Sequence, residues 1–258
     1  MPRLRREGFY PCSGLPSLRT QLPISPIDSP RQHRRPSSGW DSSCAVSSLA
    51  SALRLMTLHI HNGSVIFGIA VPLARFSELL GTHLTEFPDT PDIELQGEQL
   101  RRDKFPESGV ESFVKAVCRW GGHEGIRGRV FARNPIPELR SALSDAAEHL
   151  FQHNPDCRGA LNRLNRLDSL GSPSFASKHL RFIRPELCPV FDSILRDALP
   201  YSYDATGYGH FASDCAALAR KLQDEHIHNP RNRRDDRWFA ADVEAALYVH
   251  VKNSPNVA

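Results

Sequence analysis

The chain has 258 residues, 40% of them hydrophobic, enough for the core of one large domain or two small ones. Its net charge of +3 hides an asymmetry: residues 1–55 hold eight arginines against three acids, and the remainder is −2, so overall charge alone does not argue for a nucleic-acid partner. The six cysteines, Cys12, Cys44, Cys118, Cys157, Cys188 and Cys215, lack C-x-x-C pairing and support neither a metal site nor an iron–sulfur cluster, and the longest apolar run, Val65–Leu73, falls far short of the ~20 residues that span a bilayer.

Residues 1–55 contain seven of the twenty prolines and eleven serines and show little periodicity before Ala45. Such a segment buries too little apolar surface to offset the entropy of ordering, so it reads as a disordered Arg/Ser/Pro-rich tail. Its acid-poor composition also has the flavour of an organelle transit peptide, although the prolines suit an amphipathic helix badly. A start at Met56 is the simpler alternative. Scattered thiols without a secretory signal fit a reduced, cytoplasmic protein.

Order is expected to begin in an N-terminal part spanning 56–109. Asn62–Gly63 between two apolar runs signals a short β-hairpin. A helix should follow Pro72, with Leu73, Phe76, Leu79 and Leu80 on one side and Gly81 ending it. Residues 82–109 read as loop. From Val110 to 252 nearly everything reads as helix: "VESFVKAVCRW" up to Gly121–Gly122, "IPELRSALSDAAEHLF", "CRGALNRLNRLDSL", a long amphipathic stretch over about 206–225 and a closing "RWFAADVEAALYVHV" before a flexible tail at 253–258. Tyr208 and Phe211 fit the core. The fold class is mostly α, with a small N-terminal β addition. "NPRNRRDDR" (229–237) reads as a solvated loop, with phosphate contact the lesser option.

The segment "LGSPSFASKHLRFIRPELCPVFDS" carries the chemistry. One helix ends at Leu170, Gly171 follows as a C′ glycine, Ser172 stands at the next N-cap and Pro173 at N1, giving a tight helix–helix hairpin. Backbone amides exposed at such a turn suit a phosphate. The second helix bears Lys178, one of only five lysines, and stops before Pro185; an extended approach through Val190 and Phe191 then reaches Asp192 as a helix cap. Seven basic residues against four acids within 157–200 make this the place for any local DNA-facing patch.

Hairpin, lysine, apolar link and aspartate in this order resemble the helix-hairpin-helix DNA glycosylase superfamily, in particular bacterial proteins with the 8-oxoguanine DNA glycosylase fold. The similarity extends to "CRWGGHEGIRGRVF" (118–131) and "WFAADVEAALYVHV" (238–251), so it covers about residues 110–252. The resemblance implies a helical glycosylase domain and a monomer acting on double-stranded DNA that carries a damaged or modified base, with AP-lyase activity and without a cofactor or metal. Lys178 and Asp192 take the catalytic positions; Gly171, Ser172, Ser174 and Arg181 become DNA contacts; Trp120, Gly121, Gly122, Trp238 and Asp242 become candidates for the base pocket. The last two fit a core aromatic and a surface acid equally well. The hairpin has one glycine where the superfamily usually has two, Ile194 stands where a polar residue is common, and no four-cysteine cluster follows.

The residue types suit the reaction. Breaking an N-glycosidic bond builds positive charge on the sugar, which a nearby carboxylate stabilises. A neutral amine can attack C1′ to give a Schiff base, a role closed to an always-protonated guanidinium, and half-burial near Phe175 and Phe182 would lower the lysine pKa. The target base must be flipped out of the stack. A non-catalytic DNA-binding or sensor module on the same fold, such as one serving genome defence, is the alternative from a different class. Cleavage of free nucleosides or RNA is a third.

Overall fold

Apolar residues recurring at three and four positions drive most of the chain into helices, because only a helix puts that spacing on one face. The computed structural model describes residues 59–61, 64–67, 70–122 and 124–254, which all lie in one compact unit, Ser43–Ala258. The tail at 1–55, the start at Met56, the hairpin residues Asn62–Gly63 and the last four residues lie outside the described residues.

Three short strands, β1 (His59–His61), β2 (Ser64–Ile66) and β3 (Ala70–Pro72), form an antiparallel meander in the order β1-β2-β3. His61 pairs with Ser64, so a two-residue connection joins β1 to β2. A 3-10 turn at Leu73–Arg75 leads into ten α-helices among the described residues: α1 (Phe76–Glu86), α2 (Thr90–Arg102), α3 (Glu107–Trp120), α4 (Glu124–Arg133), α5 (Ile136–Phe151), α6 (Cys157–Leu164), α7 (Pro173–Ile183), α8 (Ser193–Ala198), α9 (Ala205–Asp224) and α10 (Ala240–Asn253). The fold is mostly α. Helix α10 packs on α1, α9 and α8, while α7 touches α2, α3, α5 and α6. Tyr208 and Phe211 are fully buried.

Three expectations need correction. Helix α1 runs through Gly81 to Glu86, since one glycine costs a helix only about 1 kcal/mol, less than packing returns. Residues 90–102 form α2, not loop. Its sequence is polar on most faces, but Ile93, Gly97 and Leu100 give a narrow buried stripe that lies against α3 and α7. The hairpin is looser than expected, because α6 stops at Leu164 and α7 begins at Pro173. In that connection Ser169 holds the positive φ (64°), not Gly171. Gly171 is required for closeness instead: a Cβ there would lie 2.7 Å from the Asn165 carbonyl oxygen. Asn134 holds the turn from outside; its Nδ2 donates to the Asp168 carbonyl and its Oδ1 accepts from the Asp168 N–H.

The interior contains an ionic network. Arg181 on α7, with its side chain 1% exposed, donates from Nη1 to Glu94 of α2 at 3.2 Å, and its Nε lies 3.9 Å from Glu244 of α10. Glu94 also receives Arg231 at 2.7 Å and Arg233 at 3.1 Å, and Arg233 bonds Asp242 of α10 at 2.7 Å. The stretch 229–237 is therefore not a solvated loop at those two arginines, which are largely buried as clamps between α2 and α10. Arg181 is withdrawn as a phosphate contact for the same reason: a fully buried guanidinium cannot reach a DNA backbone. Removing one member of a buried ionic cluster leaves charge uncompensated and costs on the order of 3 kcal/mol. Arg181→Met is accordingly expected to lower unfolding free energy by about that amount in chemical denaturation, and a loss below about 1 kcal/mol would show that the cluster is not structural.

Candidate active site

Lys178 and Asp192 come together. Both line one cavity of about 330 Å³, with His83, Phe87, Trp120, Gly121, Gly122, Ser174, Val190, Ser193, Ile194, Glu244 and Tyr248. Helix α7 delivers Lys178 because Phe182, Leu180 and Ile183 fix which side of the helix faces the core. The extended segment before α8 delivers Asp192: the Phe191 N–H donates to Ser177 Oγ at 3.0 Å, and the Val190 N–H donates to Glu244 Oε2 at 3.2 Å. Asp192 Oδ1 accepts the Leu195 N–H at 3.1 Å, so the residue caps α8 and faces the cavity at once.

Lys178 is 7% exposed, with Nζ 5.2 Å from the centre of the Phe175 ring. Burial pulls its pKa down, against the opposing pull of Asp192, Glu244 and Cys118. The balance favours the neutral amine relative to a surface lysine. Gly121 makes room for it: a Cβ at 121 would lie 3.2 Å from Lys178 Nζ, and Gly122 turns the chain away at φ +73°.

The floor and wall of the cavity are rings. Phe87 stacks on His83 at 4.6 Å and 24°, Trp120 lies 5.4 Å from Phe87, and Tyr248 meets both His83 and Phe87 edge-on. The Trp120 Nε1–H donates to Thr90 Oγ1 at 2.9 Å, fixing that ring from α2. His83 is neutral, its pKa driven down to about 3 by burial first and then by Arg181, Arg231 and Lys252. Its Nδ1 is buried and has no hydrogen-bond partner among the described residues.

Glu244 and His83 were not foreseen. Glu244 is 3% exposed, and burial together with Asp192 pushes its carboxyl up to about 8 in spite of Arg181, the Val190 N–H and Lys178. At neutral pH it is therefore a carboxylic acid with a proton to give. Its trace in the sequence is its place between Val243 and Ala245, with Ala240, Ala241, Leu247 and Tyr248 at helical spacing around it.

Of the other expected residues, Trp120, Gly121, Gly122 and Ser174 line the cavity. Gly171 and Ser172 sit on the turn before α7, outside the cavity lining, and Ser172 makes no side-chain cap bond. The Ser172 N–H is taken by the Leu170 carbonyl at 2.9 Å. Trp238 and Asp242 are corrected to core: Trp238 Nε1–H donates to the Ile227 carbonyl and the ring lies edge-on to Phe76, while fully buried Asp242 holds Arg233. Neither lines the cavity. No group of three or more His, Cys, Asp or Glu among the described residues is arranged to hold a metal ion, and no described helix is long and apolar enough to cross a membrane. No family model, curated protein or solved structure matches the chain.

The raised Glu244 pKa has a thermodynamic signature. Its folded-state value of about 8 exceeds the ordinary 4.5, so the folded chain binds the extra proton. That contribution is fully present below the unfolded value and is lost as pH rises through 8, at up to ~1.4 kcal/mol per pH unit. Buried His83 and His179 act in the opposite direction, but only below about 6.5. Glu244→Gln is thus expected to lose less stability than the natural chain between pH 6.5 and 8 in denaturation series, and parallel curves would show that Glu244 ionises normally.

Proposed function

We propose that this chain is a DNA glycosylase with AP-lyase activity, of the helix-hairpin-helix glycosylase kind, removing a damaged or modified base from double-stranded DNA. The observation that carries the proposal is the shared cavity: a desolvated lysine and an aspartate open onto a ring-lined space suited to a flat heteroaromatic group. In this reading the cavity takes the flipped base against Phe87, Trp120 and Tyr248. Lys178 Nζ bonds to C1′ while the C1′–N bond breaks and its electron pair leaves with the base. Asp192 stabilises positive charge on the sugar through the transition state. Protonated Glu244 is the donor the cavity offers to the departing base. Ring opening gives a Schiff base, and loss of a C2′ proton then expels the 3′ phosphate, cutting the strand.

A binding module on the same fold is the competing reading. The cap that Asp192 forms on α8 favours it, because that bond would keep the aspartate in place without any chemistry.

Borohydride reduction in the presence of a duplex with an abasic site separates the two. The natural chain is expected to give a covalent protein–DNA adduct and Lys178→Gln none, with binding nearly unchanged because one charge among several adds little to phosphate contact. On duplexes with single modified bases, Asp192→Asn is expected to slow excision by at least about a hundredfold while abasic-site trapping survives. A natural chain that binds these duplexes without trapping would establish the module. Trapping that persists in Lys178→Gln would assign the nucleophile to another lysine.

A further inference from the structure

We propose that Cys157 and Cys188 form a dithiol site at which hydroperoxides are reduced and a disulfide is made, with Cys157 attacking and Cys188 resolving. The two sulfurs lie 3.9 Å apart although the residues are 31 positions apart in sequence. A disulfide needs about 2.05 Å, so an approach of about 2 Å closes it. The pair is asymmetric. Cys188 is fully buried, whereas Cys157 is partly exposed at the first position of α6. Cys157 also lines a surface cavity of about 320 Å³, with Arg158, Arg220, Pro155 and Leu187. Cys157 therefore borders a space open to a small peroxide, and Cys188 does not.

Their environments divide the roles in the same way. The Cys157 thiol can donate to the Leu187 carbonyl at 3.8 Å, leaving the Cys188 S–H to point at Cys157 Sγ. That contact favours the Cys157 thiolate, as Arg184 does, while burial and Asp156 oppose it; the outcome is a lowered Cys157 pKa. Burial first, and then Cys157, push Cys188 well up. A partly exposed thiol whose deprotonation is favoured, beside a buried one whose deprotonation is opposed, is the arrangement that oxidises selectively. The other described cysteines, Cys118 and Cys215, are buried.

The steps balance. The Cys157 thiolate attacks the distal oxygen of the hydroperoxide, breaking the O–O bond and releasing the alcohol or water as the alkoxide or hydroxide takes a proton. Cys157 becomes a sulfenic acid. Cys188 sulfur then attacks the sulfenic sulfur, forms the S–S bond and expels water. In sum, two thiols and one hydroperoxide give one disulfide, one alcohol (or water) and one water. A dithiol reductant reverses the oxidation. The site is independent of the Lys178 cavity, although Cys188 begins the segment that ends at Asp192.

The test uses the full chain, reduced, desalted, treated with hydrogen peroxide while folded, then alkylated and weighed. The expected result is a loss of two hydrogen masses, a peptide map joining Cys157 to Cys188, and restoration by dithiothreitol. Cys157→Ser should abolish the cross-link, and Cys188→Ser should leave a sulfenic acid on Cys157 that dimedone captures. Recovery of both cysteines alkylated from peroxide-treated folded protein would overturn the proposal. So would a peroxide-made disulfide between other cysteines with this pair still free, or failure of dimedone to label Cys157 in Cys188→Ser.

Discussion

A guanidinium with almost no contact with water sets the geometry of this protein. Moving Arg181 into the interior has a desolvation cost that only close carboxylates can offset. Glu94 does so from α2, and Arg231 and Arg233 extend the cluster to the segment before α10 and, through Asp242, to α10 itself. Four parts of the chain are thus tied through charge, with little tolerance for rotation. Lys178 sits three residues before Arg181 on the same helix, so the arginine's anchoring also decides where the lysine points. Glu244 is common to both places, close to Arg181 on one side and part of the cavity lining on the other.

From this frame the electrostatics of the cavity follow. Glu244 and Lys178 are brought out of water beside the partly exposed Asp192, and burial moves the lysine down and Glu244 up. Each shift favours the neutral species, the usual consequence of low dielectric when pairing is incomplete. The cavity thus sets a lysine with its charge disfavoured and a protonated acid beside an aspartate. The neutral His83 keeps the ring wall free of an added positive charge next to that amine.

Much of the architecture was readable from periodicity. Helices α3, α5 and α9 fall where three-and-four spacing put them, and Tyr208 and Phe211 are core. Lys178 and Asp192 are singled out through the resemblance, whose hairpin, lysine, apolar link and aspartate are local in sequence; taken alone, the two residues read as a solvated charge and a helix cap. What was missed is tertiary. Helix α2 hides in a polar stretch because its stripe is only Ile93, Gly97 and Leu100. Arg181, Arg231 and Arg233 read as solvent-facing because charged residues nearly always are; only the fold shows carboxylates arriving from α2 and α10. Glu244 and His83 belong to the site through packing of α10 on α1, a contact between elements more than a hundred residues apart. Gly171 was placed correctly at a turn but for the wrong reason, since proximity to the Asn165 carbonyl, not φ, forbids a side chain.

Burial in the cavity disfavours the charged form of Lys178, and its protonation can be measured without knowing the substrate. The chain has only five lysines, so the side-chain Cε signals of lysine-labelled protein can be followed by NMR from pH 6 to 11 and assigned with Lys178→Gln. Lys178 should titrate below the other four, because burial disfavours its charged form. Lys178 titrating with the other lysines, or above them, would leave it an ordinary cation and contradict the catalytic reading of the site.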